Sequence, residues 1–260
     1  MNINGIDIKR TDKNTVICKI TSFTNELKQI IIDEISSIAR GKNGIMFSHN
    51  EVLREMLEIC HNNQNRIKGM IGELLAHLLI NKEIEDFLPL SCLMNLEEKS
   101  FKKGFDIVYY SQQNNELWYN EVKSGSSSKI TRTPTKGTKI LLKRAQKDMK
   151  SKFFINSQNL WSNAMNHAQM AANTKNINLI EILRKFKNCM DETPNTSKKS
   201  KNIILTSVLY CDISSDIDYT AIVNYRKKLN IEPFKNLIIF AIHKKTYQAI
   251  KDFINQEASK

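Results

Sequence analysis

Two acids and a lysine carry the chemistry most legible in this chain. Asp106 closes the turn Lys103-Gly-Phe-Asp106, and Glu121 and Lys123 lie in the run Trp118-Tyr-Asn-Glu121-Val-Lys123. Residues two apart on a β-strand point to the same face. Glu121 and Lys123 would then stand side by side, with Val122 turned to the core. If Asp106 begins the neighbouring strand of a hairpin, two carboxylates and one ammonium meet at one sheet edge. Two carboxylates suit Mg²⁺ (or Mn²⁺), which takes oxygen ligands and keeps several waters. Asp106 and Glu121 would ligate the metal, with the backbone carbonyl of Val122 as a further ligand. Lys123 would orient the attacking water and offset charge on a phosphate. This set predicts metal-assisted phosphodiester hydrolysis. The competing reading is an exposed cross-strand ion pair, which contributes little. Leu117, Trp118 and Tyr119 precede the motif and put it at the border of the core, which favours the metal site.

Other residues invite weaker readings. Glu73 falls within an apolar helix, where an unpaired carboxylate is costly. It either supports the metal or nucleophile as an extra catalytic acid, or pairs with Lys68. His77, one turn on, reads as a structural histidine. Ser124-Gly-Ser-Ser-Ser128 and Lys129 could let a backbone approach a phosphate, or form an ordinary turn. Lys143, Arg144, Lys147 and Lys150 share one broad helix face and are the candidate phosphate contacts. Trp161 and Phe186 read as core residues.

Charge supports a polyanionic partner. The chain carries a net +12, and residues 124–201 hold 16 Lys/Arg against 4 Asp/Glu. The remainder is therefore neutral overall, and the positive field is concentrated just after the acidic motif.

These residues need elements to hold them. Strands are predicted over 14–20, 104–110, 116–123, 203–211 and 236–243, with Ser111–Asn115 as a hairpin loop. Helices are predicted over 24–40 (Thr24 as N-cap), 49–60 (Ser48 as N-cap), 65–81, 139–153, 158–173, 177–190 and 245–256. Pro89 marks a loop, residues 124–138 read as a loop, and residues 191–202 as a polar connector. The order predicts an α/β fold, a central mixed sheet flanked by helices. Residues 1–60 read as an N-terminal, mainly helical addition packed on the core. Residues 61–260 would form the main domain, with a basic helical insert near 139–201. Five scattered cysteines without a Cys-x-x-Cys pair argue against a zinc knuckle or a disulfide framework. The chain lacks an apolar run long enough for a bilayer and opens without a signal-peptide pattern, so a cytoplasmic protein without membrane contact is expected.

Asp106, Glu121 and Lys123 match the D-x(n)-(D/E)-x-K pattern of the PD-(D/E)XK nuclease superfamily. More narrowly, Gly72-Glu-Leu-Leu-Ala-His-Leu-Leu, Lys103-Gly-Phe-Asp and Glu116-Leu-Trp-Tyr-Asn-Glu-Val-Lys resemble the HamA family, clearest over residues 66–130. HamA proteins are the nuclease subunits of Hachiman anti-phage systems, allied to Cap4-type effectors. The resemblance implies a PD-(D/E)XK nuclease-like core and a metal-dependent DNA nuclease restrained by a helicase subunit, HamB. It implies Asp106, Glu121 and Lys123 as the active site, with Glu73 as a possible fourth residue. Lys123 is followed by Ser-Gly-Ser-Ser-Ser, where relatives are expected to carry a bulkier residue. A stand-alone restriction- or repair-type nuclease, and a non-catalytic DNA-binding module on a nuclease fold, are the alternatives.

Overall fold

The computed structural model describes residues 3–95, 100–101, 104–126, 133–155, 158–171, 178–191, 201–211, 215–232, 234–244 and 247–260. Its strands are β1 (Ile6–Asp12), β2 (Thr15–Ile20), β3 (Phe87–Pro89), β4 (Met94–Asn95), β5 (Ser100–Phe101), β6 (Ile107–Ser111), β7 (Glu116–Ser126), β8 (Asn202–Tyr210) and β9 (Asn236–Lys244). Its α-helices are α1 (Asn25–Arg40), α2 (His49–Cys60), α3 (Gln64–Glu83), α4 (Pro134–Ile155), α5 (Gln158–Ala171), α6 (Leu179–Asp191), α7 (Tyr219–Lys228) and α8 (Tyr247–Ala258). Seven strands form one mixed sheet in the order β1-β2-β9-β8-β7-β6-β3, and β4 and β5 pair separately. The middle strands β2, β9, β8 and β7 run parallel, whereas β1, β6 and β3 pair antiparallel with their neighbours. Every residue of β8 is buried. A strand covered on both faces tends towards a continuous apolar run; β8 supplies two, Ile203-Ile-Leu205 and Val208-Leu-Tyr210, with the buried Thr206 and Ser207 between them.

Helices cover both faces. Val122, Trp118, Ile204 and Phe240 pack with apolar residues of α1, α2, α3 and α8. Tyr119, Leu205 and Ile239 pack on the other face with α4, α5, α6 and α7. Trp161 and Phe186 are buried there, as their periodicity predicts. The sheet face is thus set by parity along each strand, as period-two alternation requires.

Local rules place the helix ends. The Thr24 hydroxyl accepts from the Leu27 N–H and caps α1, and Ser48 and Glu51 form a capping box at α2. Gly41 ends α1 with φ +62°, and an added Cβ would strike the Met170 carbonyl at 2.4 Å. A side chain there is excluded on both counts.

Several expectations need correction. The strand expected over 14–20 is β2, and together with β1 it belongs to the main sheet, beside the helices α1 and α2 of the same segment. Pro89 sits in β3 rather than in a loop; β3 is an edge strand, where a missing N–H is tolerated. β7 runs on through Ser124, Gly125 and Ser126, paired with Val208, Leu209 and Tyr210 of β8. Helix α4 begins at Pro134, inside the stretch read as a loop, where proline suits the first turn. Lys103, Lys129 and most of the 191–202 connector lie outside the described residues. All five cysteines are thiols outside any disulfide, four of them buried. Among the described residues, no helix is long and apolar enough to cross a membrane.

Lys244, at the end of β9, is fully buried and its ammonium has no hydrogen-bond partner. Burial pulls its pKa down from 10.5 to about 7. The unfolded chain keeps this proton up to its ordinary range and the folded chain releases it earlier. Between these two values the unfolded state binds more protons, so Lys244 makes stability rise with pH, by up to about 1.4 kcal/mol per unit. Lys244→Met is expected to stabilise the protein most at pH 6, with the gain shrinking towards pH 10. Urea unfolding of both proteins across that range checks it.

Candidate active site

Strands β6 and β7 form the hairpin that carries the motif. Their register pairs Ile107 with Asn120 and Tyr109 with Trp118. Continued one step beyond β6, it sets Asp106 opposite Glu121. Val108 and Tyr110 share the face of Tyr119 and Leu117, the face covered by α4. By the same parity Asp106, Glu121 and Lys123 all stand on that face. Aromatic packing fixes the approach to Asp106. The Phe105 ring lies 4.7 Å from Tyr119, 5.0 Å from Phe153 and 5.4 Å from Trp161, centroid to centroid.

Four charged side chains meet here with a fifth at the margin. Asp106 Oδ2 accepts from the Val122 N–H at 2.7 Å. Glu121 is 1% exposed, and its Oε1 accepts from Lys123 Nζ at 2.7 Å. Lys123 also reaches Asp148 Oδ2 at 3.0 Å. From α4, Lys152 Nζ lies 2.5 Å from Glu121 Oε2 and 3.3 Å from Asp106 Oδ1. One ammonium therefore already bridges both carboxylates, so their oxygens lie within reach of a single cation. A residue's N–H and C=O face the same neighbouring strand. The Val122 carbonyl accordingly faces the side of Asp106, beyond the start of β6.

The electrostatics follow from burial and pairing. Burial pushes the Glu121 carboxyl up, and the Asp106 charge adds to this; Lys152 and Lys123 pull back without cancelling it. Burial works against the Lys123 and Lys152 ammoniums, but the Asp106 and Glu121 carboxylates outweigh it and hold both above the usual lysine range. Both lysines therefore stay charged at neutral pH.

The donor set fits a hard divalent ion only in part. Two carboxylates and one carbonyl supply oxygen ligands, and water would complete the shell. Among the described residues no three His, Cys, Asp or Glu side chains converge as a ready-made cluster. Such a site suits a metal shared with a phosphate rather than a closed structural site.

The remaining candidates separate. Glu73 is half-buried on α3, which covers the opposite face of the sheet from Glu121. Burial raises the Cys60 thiol and the Glu73 charge adds a little to this, which places Glu73 towards the end of α2. His77 is buried with Nε2 3.1 Å from the Ser91 carbonyl oxygen, a structural contact. Ser124 donates to the Lys68 carbonyl at 3.1 Å, and Ser126 accepts from the Lys68 ammonium at 3.0 Å. These serines therefore clamp β7 to α3. Lys143, Arg144 and Lys147 are exposed on α4. Lys150 is half-buried, and its ammonium donates to the Asn230 carbonyl at 3.1 Å.

Asp148 and Lys152 were not legible as site residues from the D-x(n)-E-x-K pattern, which stops at Lys123. A signal exists nonetheless. Asp148 is the sole acid of α4, and Arg144, Asp148 and Lys152 follow one i, i+4 row. That row leads from the buried carboxylates out to the exposed cations.

A family model described as HamA matches residues 8–258. No curated protein matches the chain significantly.

Proposed function

The chain belongs to the HamA family, and from that premise we propose that it is the metal-dependent DNA nuclease of a Hachiman-type anti-phage defence system, controlled by a helicase partner. The observation that carries this reading is the convergence of Asp106, Glu121 and Lys123 on one face of the sheet, with a single cation bridging the two acids.

Asp106, Glu121 and the Val122 carbonyl would hold Mg²⁺ or Mn²⁺. That ion, when bound, supplies Lewis-acid polarisation of the phosphate and a more acidic water. Lys123 stays protonated between Glu121 and Asp148, so it donates to the attacking water or to the phosphate oxygens rather than acting as a base. Asp148 fixes the direction of that donor. Glu73, across the sheet, is assigned at most a supporting role. Lys143, Arg144 and Lys147 form the proposed backbone-binding face, with Lys150 and Lys129 as further contacts.

Duplex DNA incubated with the protein and its helicase partner should be degraded with Mg²⁺ or Mn²⁺ and left intact with EDTA. Persistent protection of the DNA with every divalent ion and with the partner present would reject the nuclease reading and favour a binding module. The basic face carries its own expectation. Replacing Lys143, Arg144 and Lys147 together with Gln should weaken DNA binding across sequences. It should also reduce the slope of log K against log salt by about 2–3. Fluorescence anisotropy at several salt concentrations checks this.

A further inference from the structure

Lys152 stands where a metal would. Its ammonium contacts Asp106 Oδ1 and Glu121 Oε2, one oxygen from each acid. Lys123 differs: it touches only Glu121 Oε1 of the two candidate ligands, and Asp148 holds its other side. Lys152 also comes from a separate element, α4, on a flexible four-carbon stem, and its side chain is 24% exposed. It therefore has solvent into which it can swing without unpacking the core.

An ammonium offers only donors and a divalent ion demands the same carboxylate lone pairs. The two cannot bridge Asp106 and Glu121 at once. We propose, on the metal-site reading above, that Lys152 is a built-in competitor for the metal position. It neutralises the two acids in the metal-free protein and leaves when a divalent ion enters. This explains how a carboxylate as buried as Glu121 is tolerated before the metal arrives, since an unpaired buried charge is costly. Metal affinity is then reduced in proportion to the fraction of molecules in which Lys152 has left the two acids. Once displaced, the same ammonium is a free cation at the edge of the site, on the i, i+4 row that runs out to Arg144.

Mn²⁺ binding followed by electron paramagnetic resonance tests this without any turnover. Lys152→Gln should bind Mn²⁺ at least ~10-fold more tightly than wild type, because the competitor is gone. Lys136→Gln removes the same charge from the far end of α4, where the residue is exposed, and should change affinity little. Wild type supplies a second readout that needs no folded variant. Mild amine acylation, read by mass spectrometry, should label Lys152 several-fold faster with saturating Mn²⁺ than without, relative to the exposed Lys136. If Mn²⁺ binds in a Glu121-dependent way, yet neither Lys152 labelling nor the Lys152→Gln affinity changes, the competitor role is wrong and the metal site stands. If Mn²⁺ binds neither wild type nor Lys152→Gln, both readings fall.

Discussion

Glu121→Ala is expected to cut metal-dependent DNA cleavage by roughly 10³-fold, with the fold intact. The activity loss follows from position: Glu121 is the buried member of the acid pair and the partner of Lys123. The stability forecast follows from what remains. Without Glu121, Lys123 keeps Asp148 at 3.0 Å and Lys152 keeps Asp106 at 3.3 Å, so neither ammonium is stranded. A carboxylate that burial already disfavours is removed at the same time. The melting temperature should therefore move by only a few degrees. Lys123→Ala should lose cleavage to a similar extent through loss of the donor to water or phosphate. Plasmid degradation assays with circular dichroism on the same samples separate activity from folding. Undiminished cutting by both variants would remove the assignment.

Phe105→Ala should give the largest loss of stability. Phe105 is 2% exposed and packs on Tyr119, Phe153 and Trp161 immediately before Asp106. Removing a buried aromatic ring costs about 3–5 kcal/mol, a large share of a typical folding free energy of roughly 5–15 kcal/mol. A drop of roughly 10 °C in melting temperature is expected. The ring also seats Asp106 against the Val122 N–H. Cleavage should thus fall further than the unfolded fraction explains, even well below the melting point. Phe105→Leu, which retains most of the apolar volume, should recover much of both losses. Thermal unfolding and cleavage at 20 °C, measured together, check the pair.

Much of this site was readable because it obeys local rules. The Glu-Val-Lys spacing fixes one shared face for its charged residues, and the polar Ser111–Asn115 loop signals the hairpin. Thr24 and Ser48 announce their helices, and the apolar stripe of α3 is unmistakable. What escaped depends on partners distant in sequence. Ser124-Gly-Ser126 has loop composition, but β8 offers it a complete parallel ladder, so it remains a strand. Strand β1, Ile-Asp-Ile-Lys-Arg-Thr-Asp, is apolar only at Ile6 and Ile8 and takes its identity from antiparallel pairing with β2. Helix α7 has a single fully buried residue, Ile222, and so lacks a strong apolar stripe. Lys152 and Asp148 join the site because α4 folds back over β7; their i, i+4 row with Arg144 marks one shared helix face but not what that face covers.

The nuclease reading requires Asp106 and Glu121 to share one divalent ion. A crystal structure grown with Mn²⁺, with anomalous scattering used to locate the ion, tests it most directly. One ion is expected within ligand distance of both carboxylates and the Val122 carbonyl, with the Lys152 ammonium moved away. Manganese at saturating concentration that binds elsewhere, or that leaves Lys152 bridging the two acids, would contradict it.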